Sequence, residues 1–458
     1  MDYSAANTAL WNPVFQVGVI AGLILVSNIL RRKVPFITRS LMPISVLAGF
    51  MLLILRHTGI MPIDADFLEV VTYHALALGF IALALRIPTK ENSSGALIGS
   101  KSGALIVSTY LVQALVGLTI SLGLAYTIMP ELFKASGILL PMAYGQGPGQ
   151  ANNVGTTYEA LGFAGGRTFG LSLAAAGYLC ACTVGVVFLN IYAKTGRLKR
   201  AESKAEVSGS VTLDTYQDKN EIPISESVDK LSVQAALVFI VYLLTYLIIH
   251  GITSLLAAVA PGAAATVSTL LWGFNFIIGS VAAMGVRMLM GCLRSAKLMN
   301  RQYQNNYLLS RISGLAFDLM IVCGIAGINI DDLAELWLPF LIMAVLGGIV
   351  TFLYLRFMCD RMYPGYTEEG FFSMYGMLTG TLSSGVLLLR EIDPEMKTPA
   401  ANNLITGSSF GIVFGAPVLL LVSLAAKDTA GVWLTVVLAA LYLAALLAFI
   451  FLVGRKKK

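Results

Sequence analysis

Apolar residues in this chain gather in eleven long runs, at about 14–30, 41–55, 69–85, 104–129, 168–193, 232–256, 264–290, 308–327, 336–358, 402–425 and 431–453. Each predicts a helix that crosses a membrane, because roughly 20 apolar residues at a helical rise cover a hydrocarbon core of about 30 Å. Two further apolar stretches are interrupted. Gly137 to Gly162 reads GILLPMAYGQGPGQANNVGTTYEALG, and Gly370 to Glu391 reads GFFSMYGMLTGTLSSGVLLLRE. Both have an apolar arm, a kink of glycine and small polar residues, and a second arm. Glycine releases the backbone from helical angles, and main-chain groups freed in this way are tolerated at membrane depth only inside protein or beside a wet cavity. Both stretches are therefore expected to dip into the membrane and return as re-entrant hairpins.

The order of the runs is five spans, a polar stretch, five spans and one more, with a hairpin before the fifth span of each set. This divides the chain into a first repeat at 1–194, a linker at 195–231, a second repeat at 232–426 and an extra span with a basic tail at 427–458. The linker mixes charged residues with Ser, Thr and Gly and lacks the apolar content of a folded domain, so a flexible cytoplasmic tether is expected. Five spans is an odd number, so the second repeat starts on the opposite side and the repeats are inverted. Charge supports this arrangement independently. With the N-terminus outside, the C-terminus inside and both hairpins returning, all but four of the 31 Lys and Arg face the cytoplasm, the exceptions being Arg56, Lys134, Arg167 and Lys427. If both hairpins crossed fully, the majority would lie outside, against the positive-inside rule. The expected fold is an all-α polytopic protein with 11 spans, in which the hairpin tips approach each other near the midplane from opposite faces. Faint internal similarity agrees, since Tyr144-Gly145 with Gly149 is spaced like Tyr375-Gly376 with Gly380.

Composition narrows the function classes. With 57% hydrophobic residues, 12% charged ones and a mean hydropathy of +0.78, a water-soluble globule is excluded. The net charge of +6 is spread over the loops of one face, which fits topology better than nucleic-acid binding. The first run leads directly into Arg31-Arg32-Lys33 after a segment without basic residues, and it is expected to be retained. Five cysteines show neither metal nor redox spacing and read as packing residues. No nucleophile with base and orienter, no Walker loop and no dinucleotide fingerprint is present, so an enzyme is not expected and energy should come from an ion gradient.

The chemistry concentrates at the two kinks, since paired interrupted segments are the best sequence pointer to a transporter site. In the first, Gly145, Gly147 and Gly149 open the backbone, while Gln146, Gln150, Asn152, Asn153 and Thr156 supply donors and acceptors. A helix beginning after the break aims free N–H groups and partial positive charge at the gap, which suits a carboxylate, and released carbonyls suit a hard cation such as Na⁺. In the second, Gly380 and Gly385 frame Thr381, Ser383 and Ser384. Asp318 lies in mid-span and is expected to face the bundle interior with a partner, either as a cation ligand or proton carrier or in a structural pair with Arg311. A Na⁺ site is expected near Asn153, Ser384 and Asp318. Arg390 and Glu159 are weaker candidates for substrate and cation contact. His74 reads as a hydrogen-bonded helix histidine, and Arg287 and Arg311 as snorkelling side chains. A proton-coupled carrier and a channel are the alternatives to a sodium-coupled one.

At these residues the chain resembles the bacterial sodium/glutamate symporter family. The similarity spans nearly everything up to about residue 425, in the two inverted five-span repeats with a hairpin before each last span. Gly145-Gln146-Gly147-Pro148-Gly149 resembles the family's Gly-His-Gly-x-Gly tip, with Gln146 where the family has histidine. Gly380-Thr381-Leu382-Ser383-Ser384 resembles its Gly-x-Thr-Pro-Thr region, with Ser383 at the proline. The resemblance implies a homodimeric inner-membrane symporter without a cofactor, coupled to Na⁺, moving glutamate or a similar anionic amino acid or small carboxylate by alternating access.

Overall fold

The computed structural model describes residues 2–40, 42–87, 93–195, 229–259, 268, 271–273, 275–299, 301–393 and 398–453. The linker from 196 to 228 and the basic tail lie outside the described residues. In chain order the helices are α1 Thr8–Lys33, α2 Pro35–Ser40, α3 Ile44–His57, α4 Ala65–Leu85, α5 Ser93–Ala125, α6 Pro148–Ala160, α7 Gly166–Cys180, α8 Val186–Lys194, α9 Lys230–Val259, α10 Asn275–Ser295, α11 Asn306–Ala326, α12 Ile330–Glu335, α13 Trp337–Met362, α14 Thr367–Thr379, α15 Leu382–Arg390, α16 Ala400–Ala425 and α17 Thr429–Leu452. Between α5 and α6 lie a 3₁₀ turn, Lys134–Ile138, and a π turn, Pro141–Gly145. A second π turn, Ala181–Gly185, joins α7 to α8.

Among the described residues, ten helical stretches are long and apolar enough to cross a membrane, so the chain is an all-helical multi-pass membrane protein. They fall in ten of the eleven runs. The exception is the run at 41–55, where α3 has only 14 residues, about 21 Å of helix and short of the hydrocarbon thickness. Pro43 starts it late, and Thr58 with Gly59 at φ 73° ends it.

Membrane helices are apolar on every face, so packing rather than hydropathy distinguishes the inner side. On α1 the buried positions are Gln16, Ile20, Leu23 and Ser27, and on α9 they include Gln234, Val238, Val241, Thr245 and Ile249. Each set is a single stripe at helical spacing. Beyond the stripes large apolar side chains stand exposed, among them Leu25, Ile29, Phe239, Ile240 and Leu243, as lipid permits and water would not.

The helices form two compact units that do not follow the two halves of the sequence. One contains 1–65, 91–204 and 324–458; the other contains 66–90 and 205–323. In the smaller unit α4, α9, α10 and α11 share a core of Ile81, Leu85, Val238, Val241, Ala283 and Leu309. Phe80 packs its ring against Phe276 and Phe317. Arg287 reaches the end of α4. Its Nη1 donates to the carbonyls of Ala84 and Arg86 at 3.0 and 2.9 Å, closing the end of α4. Arg311 lies over the Tyr307 ring, and His74 Nδ1 is 2.6 Å from Tyr242 Oη.

Asp318, expected to face the bundle interior with a partner, is an exposed residue here. In the first part of α11 the buried positions are Leu309, Ser313 and Ala316, and from Met320 onward every residue of the helix is buried, Ile321 and Val322 included. Asp318 stands two residues from Ala316 and so lies off the face that carries it, one turn before the buried Ile321 and Val322 on its own side.

In the larger unit α5 runs through the packing. Gly117 meets the backbone of Gly137 so closely that a carbon added to Gly117 would lie 2.1 Å from the Gly137 oxygen, and Gly103 does the same against Phe410 of α16. Gln113 Nε2 donates to Thr351 Oγ1 of α13 and to the Leu378 carbonyl of α14, both at 2.9 Å. The end of α13 is tied to the start of α14 by Arg356 and Glu368 at 2.6 Å.

Candidate functional site

Both interrupted stretches reverse direction at their kinks. In the first, the rings of Phe133 and Tyr158, on either side of the break, lie with centroids 5.2 Å apart. In the second, α14 and α15 fold back to back: a carbon on Gly376 would lie 2.9 Å from Gly385 Cα, and one on Gly385 would lie 2.4 Å from the Ser373 oxygen. Glycine is required at both contacts because two backbones occupy the space of a side chain. The arms of the first hairpin differ from a plain pair of helices. Its incoming arm is made of the 3₁₀ and π turns, with Gly145 pressed against the Tyr110 ring and the Gln113 amide of α5.

The first break is at Gln146 and Gly147. Gln146 is half-buried and Gly147 adopts φ 87° and ψ −177°, a region essentially reserved for glycine. Pro148 then opens α6 at its first position, where a missing N–H costs nothing. The second break is at Gly380 and Thr381. Thr381 is extended, and α15 begins at Leu382. Neither helix start has a side-chain cap.

The two breaks sit side by side. A carbon added to Gly147 would lie 3.3 Å from Thr381 Cγ2 and 3.5 Å from the Gly380 oxygen. Helix α7 holds them there. Its Gly177 packs on the Thr379 carbonyl, where an added carbon would be 2.3 Å away, and its Tyr178 ring borders Gly380. Two helices therefore begin at one buried junction with the N–H groups of their first turns directed toward it, and each contributes partial positive charge. Beside these starts lie oxygens without a hydrogen-bond partner among the described residues: Gln150 Oε1, Thr381 Oγ1 and Ser384 Oγ. Gln150 and Ser384 are 1% and 3% exposed, and buried polar atoms left unpaired are rare in native folds.

The other expected residues are distributed more widely. Gly149 is buried in the first turn of α6. Asn152, Asn153 and Thr156 lie one to two turns further along. Asn152 Oδ1 accepts from Arg167 Nε at 2.9 Å, and the Asn153 carbonyl accepts from Thr157 Oγ1 at 2.7 Å. Glu159, roughly 16 Å from the break by helical rise, accepts from the Arg167 backbone N–H at 3.1 Å. The side chains of Ser383 and Arg390 lie outside the described residues. Asp318 belongs to the smaller unit.

Four participants were not singled out from sequence. Arg167 bridges α7 to Asn152 of α6; Tyr178 and Gly177 pack α7 against the second break; Gln113 ties α5 to α14. Signals for two of them exist in the chain. Gly166, Gly170, Ala174 and Gly177 form a small-residue stripe that marks close backbone packing, and Gln113 is a lone amide deep in an apolar run. No family model matches the chain, and none of the curated proteins matches it.

Proposed function

We propose that the chain is a secondary active transporter of the inner membrane that couples Na⁺ entry to uptake of glutamate or a similar anionic amino acid or small carboxylate. The observation that carries this reading is the junction of two uncapped helix starts, α6 and α15, beside the unpaired oxygens of Gln150, Thr381 and Ser384. First-turn N–H groups of two helices attract a carboxylate from both sides. Oxygens without a donor suit a desolvated monovalent cation, which needs several neutral or weakly charged oxygen ligands. One substrate carboxylate and one cation neutralise each other's charge at such a junction, so neither enters the low-dielectric interior alone.

Alternating access then requires the junction to be exposed first to one side and then to the other. Gly147, Gly380 and Gly177 make the tips closely fitted rather than fused, since no side chain interlocks them at these positions. Uptake of labelled glutamate, aspartate and small dicarboxylates by proteoliposomes tests the reading directly. Saturable accumulation that follows an inward Na⁺ gradient supports it. Accumulation driven only by a pH gradient in sodium-free buffer, or currents that follow voltage without saturation, overturns it.

A further inference from the structure

The smaller unit carries a separate cavity of about 120 Å³, room for several water molecules, where the end of α10 meets the segment leading into α11. Three arginines line it, Arg287, Arg294 and Arg301, together with Gln304, Met290 and Met299. None of its described lining residues is acidic.

The arginines are not consumed by capping α10. Backbone N–H groups of Ala296, Lys297, Leu298 and Met299 already take the carbonyls of Cys292, Leu293 and Arg294, with Lys297 in the left-handed region at φ 57°. Arg294 Nη1 donates to Gln302 Oε1 at 2.9 Å, which fixes the guanidinium at the cavity. Gln304 is 4% exposed, and its Nε2 has no acceptor among the described residues. The cavity is thus lined by three guanidinium groups, two of them held in place by the Ala84, Arg86 and Gln302 oxygens, and by a buried amide donor without an acceptor among the described residues, the group set that recognises a phosphate. Its flank is apolar: Met288 and Leu289 of α10 are 64% and 58% exposed. This end of the unit is the one expected to face the cytoplasm, where the leaflet carries negative charge.

We propose that this cavity binds a phosphate group, supplied in the membrane by the headgroup of an anionic phospholipid whose acyl chains lie along Met288 and Leu289. It is a site apart from the hairpin junction and does not depend on the transport reading.

The test uses the purified full chain in uncharged detergent, with thermal unfolding followed as phosphatidylglycerol, phosphatidylcholine or inorganic phosphate is added. Phosphatidylglycerol is expected to raise the unfolding temperature, phosphatidylcholine is not, and Arg294→Gln and Arg301→Gln are each expected to weaken the effect about fivefold in lipid concentration. Arg361→Gln, in the larger unit, should respond like the parent. Stabilisation by inorganic phosphate that the same two substitutions remove would uphold the site and assign it to a soluble phosphate. Equal stabilisation by both lipids, or an unchanged response in both arginine variants, overturns the proposal. Arg301 is exposed in the connecting segment, so its variant keeps the test valid even if Arg294→Gln fails to fold.

Discussion

Replacing Gly147 with alanine isolates what the first break does. The residue holds φ 87° and ψ −177°, where a Cβ collides with its own backbone, and holding a non-glycine residue there costs on the order of 1–3 kcal/mol. The new carbon would also lie 3.3 Å from Thr381 Cγ2, so the opposing tip must yield by a few tenths of an ångström. The expected result is a loss of about 1–3 kcal/mol of stability together with a loss of uptake larger than the folded fraction accounts for. Gly162→Ala supplies the reference. Gly162 is also at positive φ, 102°, but a carbon there meets nothing within 4 Å and the residue is remote from the junction. Both variants would be compared by thermal unfolding and by initial rates of labelled glutamate uptake at matched amounts of folded protein. If Gly147→Ala and Gly162→Ala impair uptake equally per folded molecule, the break is a structural turn and the reasoning about the junction fails.

Ser384→Ala removes a buried hydroxyl that has no partner, so the empty protein should be unchanged or more stable by about 1 kcal/mol, while the sodium concentration for half-maximal uptake rises about tenfold; a less stable protein with unaltered sodium dependence would refute this. Arg167→Ala leaves the Asn152 amide oxygen, on a residue 2% exposed, without its donor and should cost about 1–3 kcal/mol, and Arg167→Lys should not restore it, since the bond comes from Nε of a planar fork. Chemical denaturation of the two variants checks both statements. Gly177→Ala drives a carbon to within 2.3 Å of the Thr379 oxygen and should destabilise by about 1–3 kcal/mol or more, whereas Gly251→Ala, with open space around it, should stabilise its helix by up to about 1 kcal/mol. Cys180 is a poor neutral control for such work, because its Sγ lies 3.5 Å from Tyr144 Oη on the first hairpin; the exposed Cys292 serves better.

Much of the helical plan was legible from local patterns. Hydropathy is a property of a few consecutive residues, and a membrane helix satisfies all its backbone bonds within itself, so the spans from α1 to α17 follow from runs that need no distant partner. The breaks at Gly147 and Gly380 were legible for the same reason, since glycine density and backbone freedom are local. Helix length at α3 was harder, because it depends on Pro43 and Gly59 stopping the helix rather than on apolar content.

What the tertiary structure alone decided is which side of each helix faces protein. In water that side is the apolar one, but in lipid both sides are apolar and hydropathy loses the distinction. Asp318 shows the consequence: mid-span position suggested burial, yet the residue is exposed while Ile321 and Val322, one turn further along the same side of α11, are buried. The same ambiguity hid Tyr178, which borders the junction because Gly177 lets α7 approach the second break, and Arg167, which holds Asn152 further along α6. Local sequence dictates where the chain stops being helical. Which loosened segments then meet, and which oxygens are left unpaired between them, is set by packing among residues far apart in the chain.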